Sequence, residues 1–136
     1  MKLANEVNKV ITALEKFTTE LLQELTLNIT AELKEKTPVD TGWARSNWVP
    51  SIGTPFRGLA GSKDSEKTVI DNSLGEVGIG QVISSYTIDQ GAIFISNNVP
   101  YIQPLNNGHS GQAPAAFVQA AVEKAINMNS ILQRAD

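Results

Sequence analysis

From Leu3 to Lys36 neither glycine nor proline interrupts the chain, and apolar residues return every third or fourth position. Leu3, Val7, Val10, Leu14, Phe17, Leu21, Leu25, Ile29 and Leu33 form one stripe at helical spacing. Ile11, Leu22 and Leu27 widen or depart from it, and Glu6, Lys9, Glu15, Lys16, Glu20 and Glu24 lie mostly off it. Thr37-Pro38 predicts the end, because a residue before proline avoids the helical region. Such a helix is about 50 Å long at 1.5 Å per residue. A compact domain of 136 residues is only on the order of 30 Å across. Two solutions stand open. Either the helix breaks or frays at its start as an ordinary core helix, or one end projects and packs on a neighbouring subunit.

The remainder predicts a compact α+β partner for that helix within a single domain, residues 1–136. In Thr37-Pro38-Val39-Asp40-Thr41-Gly42, Asp40 is placed to cap a helical turn starting at Thr41. Trp43 and Trp48 bracket Arg45 and suggest a packing node; Trp48-Val49 enters a strand, and Pro50 marks its edge or its end. Residues 51–75 read as a long Gly- and Ser-rich loop, with a short strand at 67–70 as an option; loops of that length are usually functional or ordered by a partner. Residues 81–86 suit either a helix or a strand, and the reading favours a short helix. Ala92–Ser96 reads as a central strand closed by a turn at Asn97-Asn98. Pro100 opens a helical turn through Leu105, ended by Asn106-Asn107-Gly108. A last helix is expected from Pro114 to about Arg134, with Phe117, Ala121, Ala125, Met128 and Leu132 on one stripe; its alanines allow close approach to another backbone. The expected architecture is a long N-terminal helix and a C-terminal helix on a small sheet, with one long loop.

Composition narrows the function. The chain has no cysteine, which removes disulfides, thiolate metal sites and cysteine nucleophiles. His109 is the sole histidine and sits in the polar stretch Asn107–Gly111, so neither a Ser–His–Asp set nor a zinc site is expected. Asp40, Asp64, Asp71 and Asp89 read as turn residues rather than as paired catalytic acids. Gly78-Ile79-Gly80 lacks the third glycine of a dinucleotide fingerprint, and Gly108–Gly111 has no following lysine. No cofactor and no catalysis are expected. Eleven Lys and Arg residues in a chain of net charge −3 make a poor phosphate-binding surface. Apolar runs such as 92–95 are far too short for a membrane span. No apolar run follows Lys2, so no signal peptide is expected, and the protein is expected to be soluble and made in the cytoplasm.

Two segments carry a resemblance. Thr37–Gly42 (TPVDTG), followed by Arg45 and Trp48, resembles a signature of phage tail components. Asn97-Asn98-Val99-Pro100-Tyr101, then Leu105, Gly108 and Gln112-Ala113-Pro114, resembles that family's second signature. From about residue 5 to residue 130 the chain is similar, in order and spacing, to the head–tail joining, neck and tail-completion proteins of long-tailed bacteriophages, including the minor tail protein Z group. Asn106-Asn107 and His109 stand where that family often has an acidic residue and a bulky aromatic.

The resemblance implies a non-enzymatic virion protein that forms a homo-oligomeric ring of six or twelve copies at the neck. It implies contacts with head-side connector and tail-side proteins, and DNA passing through the lumen without sequence-specific binding. The site residues it suggests are interface and structural ones: Pro38, Asp40, Thr41, Gly42, Arg45, Trp48, Asn97, Asn98, Pro100, Tyr101, Leu105, Gly108, Gln112, Ala113 and Pro114. Arg45 offers a planar fork of donors suited to a carboxylate or carbonyls at an interface. Gly42, Gly108 and Pro114 suit plain folding roles. Residues 51–75 are the candidate contact with the next ring or with the lumen, and the lumen wall is expected to be neutral or acidic. The alternatives are a tail terminator or head-closure protein, an assembly factor absent from the mature particle, and a small hydrolase.

Overall fold

A computed structural model describes residues 2–37, 43–59, 76–108 and 115–129. Its main element is α1, Lys2–Lys36, an unbroken helix of 35 residues. The chain then forms a four-residue turn of helix, α2 (Trp43–Ser46), and strand β1 (Val49–Ile52). Helix α3 (Glu76–Ser84) leads to a 3-10 turn at Ile88–Gln90, strand β2 (Ile93–Ser96), the short α4 (Ile102–Asn106) and finally α5 (Phe117–Met128). The expected α+β class and the expected order of elements both hold.

Strands β1 and β2 pair antiparallel, with Val49 opposite Ser96 and Ile52 opposite Ile93. Gly53 N–H extends the pairing to the Ala92 carbonyl at 2.8 Å. Two features differ from expectation. Ser51 and Ile52 belong to the strand rather than to the loop, and β2 is not central, because among the described residues the sheet has only these two strands. Both strands are therefore edges, which is why Pro50 sits inside β1 without breaking a central ladder.

Helix α3 overlaps the expected 81–86 helix but begins at Glu76 and ends at Ser84; α4 begins at Ile102, later than the expected Pro100, and ends where Asn107 and Gly108 follow it. Helix α5 is shorter than expected. It starts at Phe117, because Ala116 adopts a left-handed conformation (φ 62°) that no helix continues through. It ends at Met128, because Asn129 is extended (φ −69°, ψ 120°). Asp40, Pro114, His109, residues 60–75 and residues 130–136 lie outside the described residues, and with them the expected cap, the 67–70 strand and Leu132.

The core sits on the C-terminal half of α1. Leu33, Trp48, Phe117 and Ala121 are buried together, with Ile29, Ile95, Ile102, Leu105 and Val118 packed around them. A second cluster joins Ala44 and Val99, covered by Tyr101, Ile102 and Leu105. Helix α5 lies along α1, and its Phe117, Ala121 and Ala125 are buried. Small side chains let the two backbones approach, as the alanine stripe suggested. The buried face of α1 also carries Thr26 and Thr30. Their hydroxyls donate to the carbonyls of Leu22 and Thr26, four residues back, both at 2.7 Å, so each is buried with its polarity satisfied.

Candidate assembly interface

The two sequence signatures meet in space. Asn97 Nδ2 donates to the Ala44 carbonyl at 2.8 Å, and Asn97 Oδ1 accepts from Val99 N–H at 3.1 Å. One side chain thus fixes the turn after β2 and ties it to α2. Asn98 Nδ2 donates to the carbonyls of Phe56 (2.8 Å) and Gly58 (3.1 Å), holding the segment that leaves β1. Trp48 is buried, and its indole N–H donates to Thr37 Oγ1. Tyr101 and Leu105 are half-buried against Val99 and Ala44. Pro100 is exposed just before α4, and Arg45 is half-buried on α2.

Gly108 has φ +95°, and a Cβ there would meet the Ala115 Cβ at 3.2 Å, so both the backbone angle and the space call for glycine. Pro38, Asp40, Thr41, Gly42, Gln112, Ala113 and Pro114 lie outside the described residues. The described signature residues therefore act mostly as internal ties. They set the junction of α1, α2, β2 and α4.

Asn106 has a role that sequence reasoning missed. Its Oδ1 accepts from Val118 N–H at 2.9 Å, its backbone carbonyl accepts from Ala116 N–H at 2.6 Å, and its Nδ2 donates to Gln119 Oε1 at 3.1 Å. It caps α5 from eleven residues upstream of Phe117, where no local capping pattern reveals it. Gln23 is a second such tie. Its Nε2 donates to the carbonyls of Ser84 (3.0 Å) and Tyr86 (3.1 Å), which pins the end of α3 to α1.

The other half of α1 is different. Residues 2–17 are exposed without exception. Leu3 is 75% exposed, Leu14 60% and Phe17 48%, whereas Leu33 on the same helix is 2% exposed. Thr12, Lys16, Thr19 and Gln23 line an open cleft whose other wall is Thr87, Ile88 and Asp89. At 100° per residue this polar face lies roughly opposite the stripe of Leu3, Val7, Val10, Leu14 and Phe17. So α1 turns polar side chains towards its own domain and its apolar stripe away from it. A stripe exposed by 48–75% over four turns is far beyond the scattered apolar residues normal on a soluble surface.

Chemistry is sparse by comparison. Among the described residues no three His, Asp or Glu side chains gather as a metal site, and no helix is long and apolar enough to cross a membrane. Lys124 Nζ pairs with Glu32 Oε2 at 3.3 Å across α5 and α1, a structural position.

No family model matches the chain, and no match was found among curated proteins or solved structures. The class that fold and surface define is therefore a small α+β domain with a projecting amphipathic helix.

Proposed function

We propose that this chain is a structural virion protein that forms a ring at the head–tail junction of a long-tailed bacteriophage. The observation that carries the reading is the outward apolar stripe of α1, which a domain acting alone would leave in water. A helix longer than its own domain, with its apolar face turned out, suits a part made to be covered by neighbours. The paired signatures at 37–48 and 97–114 supply the class of particle by resemblance. Their described side chains hold the fold together rather than converge on a pocket, which suits a scaffold better than an enzyme. Net charge −3 suits a channel wall along which DNA slides without sticking.

The test is mass spectrometry of purified particles. The chain is expected there in a fixed copy number relative to the other neck proteins. Its absence from particles, with the protein abundant in the lysate, overturns the reading in favour of an assembly factor or an enzyme.

A further inference from the structure

The apolar stripe of α1 changes its step at Leu21. Up to that point it runs Leu3, Val7, Val10, Leu14, Phe17, Leu21, a strict alternation of four and three; beyond it come Leu25, Ile29 and Leu33, in steps of four. At about 100° per residue, Leu3 and Leu21 lie on one line along the helix, whereas Leu33 lies about 120° round from Leu21. The second stretch turns onto the protein's own core, where Ile29 and Leu33 pack with Trp48 and Phe117. The first stretch keeps its line and stays in water, with Leu3, Val10 and Leu14 exposed by 58–75%. We infer that residues 3–21 wind in parallel about the same residues of a second copy of the chain, as a short coiled coil. The inference rests on the reading of that stripe as an assembly surface and names what covers it.

Three observations select this occupant. The first is the repeat. Apolar residues at both core positions of successive heptads are the pattern of helices wound about each other. The cover is therefore a helix running alongside, and a second copy presents the same seam in the same register. The way is open for it. Thr12, Lys16, Thr19 and Gln23 turn towards Thr87–Asp89, roughly opposite the seam, so that part of the protein does not stand between two seams.

The second is charge. Lys2, Lys9 and Lys16 balance Glu6, Glu15 and Glu20, so this half of α1 has no net charge to draw it to lipid headgroups or nucleic acid. Glu6 and Glu20 flank the seam. In a parallel pair Glu6 lies beside Ile11 of the other helix, and its methylene stem covers that 46% exposed side chain. In an antiparallel pair Glu6 meets Glu20 of the other helix at both ends, like charge against like. The flanking charges thus select the parallel arrangement.

The third is area. Leu3, Val7, Val10, Leu14 and Phe17, with Ile11 beside them, are exposed by 46–75%. Six such side chains present on the order of 500 Å² of apolar surface. Counted on both copies, that reaches the ~1,000 Å² a specific interface needs.

The native chain has no cysteine, so single cysteines report the contact cleanly. Val7→Cys and Phe17→Cys on the seam, and Lys9→Cys off it, are made in full-length chains carrying tags of different mass. Each is oxidised alone, and V7C and F17C also as a mixture. V7C and F17C are each expected to cross-link with themselves, the mixture to give no V7C–F17C heterodimer, and K9C to stay uncrosslinked. Leu14→Glu puts a charge into the seam and is expected to weaken pairing about 100-fold in sedimentation, with tryptophan fluorescence showing that the core stays folded.

A V7C–F17C heterodimer, with neither variant cross-linking alone, overturns the parallel pairing in favour of an antiparallel one. A parent chain that stays monomeric at every concentration, or a dimer that L14E leaves as tight as the parent, overturns pairing through this seam in favour of another virion protein as its cover. Cross-linking of K9C as readily as V7C overturns it too. The two readings fail separately. A chain that pairs as expected but is missing from particles sinks the neck assignment alone, and a chain found in particles that never pairs through the seam sinks this contact alone.

Discussion

The indole N–H of Trp48 donates to Thr37 Oγ1 at 2.7 Å, and the same hydroxyl donates onward to the Leu33 carbonyl at 2.5 Å. Thr37 is thus the hinge pin between the end of α1 and the entry to β1. Both residues are buried, at 2% and 6% exposure, so neither bond competes with water. Replacing Trp48 by Phe keeps most of the ring and removes the donor, and a loss of about 1–2 kcal/mol is expected. Trp48→Ala also opens a cavity between Leu33 and Phe117, with a loss of about 3–5 kcal/mol. Chemical denaturation of the two variants against the parent checks both the order and the size.

Glu32 is a buried carboxylate on α1 whose charged neighbour is Lys124 on α5. The lysine is half exposed, so the pair itself contributes modestly, but removing it strands the carboxylate in the interior. Lys124→Ala is expected to cost about 1–2 kcal/mol. The double variant Glu32→Gln with Lys124→Ala is expected to recover part of that loss. A double-mutant cycle by urea unfolding reads the coupling, and full additivity would contradict it.

Asn97 joins the two signatures, and its two bonds have opposite polarity. Asn97→Ala leaves the Ala44 carbonyl and the Val99 N–H without that partner, for a loss of about 1–3 kcal/mol. Asn97→Asp keeps the acceptor for Val99 but turns a carboxylate towards the Ala44 carbonyl, so it is expected to be no better than alanine at neutral pH. Thermal unfolding of the pair at fixed pH measures this.

Gly108 and Gly91 share a positive φ, +95° and +96°, but differ in surroundings. A Cβ at Gly91 meets nothing within 4 Å, whereas at Gly108 it presses on Ala115 at 3.2 Å. Alanine at either position carries backbone strain of about 1–2 kcal/mol. Gly108→Ala is expected to cost more than Gly91→Ala and to loosen the approach to α5. Comparing their melting temperatures, with amide exchange over 115–120, tests the ranking.

The long helix was legible because nothing between Leu3 and Lys36 breaks a period of three and four. What covers its stripe was not, since periodicity says which side chains share a face and not what lies against it. That the N-terminal stripe points away from the domain depends on where Thr87–Asp89 return to α1, a contact more than 60 residues distant in sequence. The alanine stripe of α5 was legible for the same reason as the helix. Its start was not, because the left-handed Ala116 and the remote cap from Asn106 leave no local signature. Asn97 read as a turn residue and as part of the second signature, but its bridge to position 44 was not legible, since such a side chain looks in sequence like any asparagine after a strand. Ala92–Ser96 was read as central from its apolar run, but among the described residues β2 pairs with β1 alone, and all four residues of Ile93–Ser96 end half-buried.

Imaging of purified particles at side-chain resolution addresses the central claim most directly. The account predicts a closed ring of this chain at the neck, with Leu3, Val7, Val10, Leu14 and Phe17 buried against the adjoining copy. A neck without the chain, or a ring in which that stripe still faces water, contradicts it.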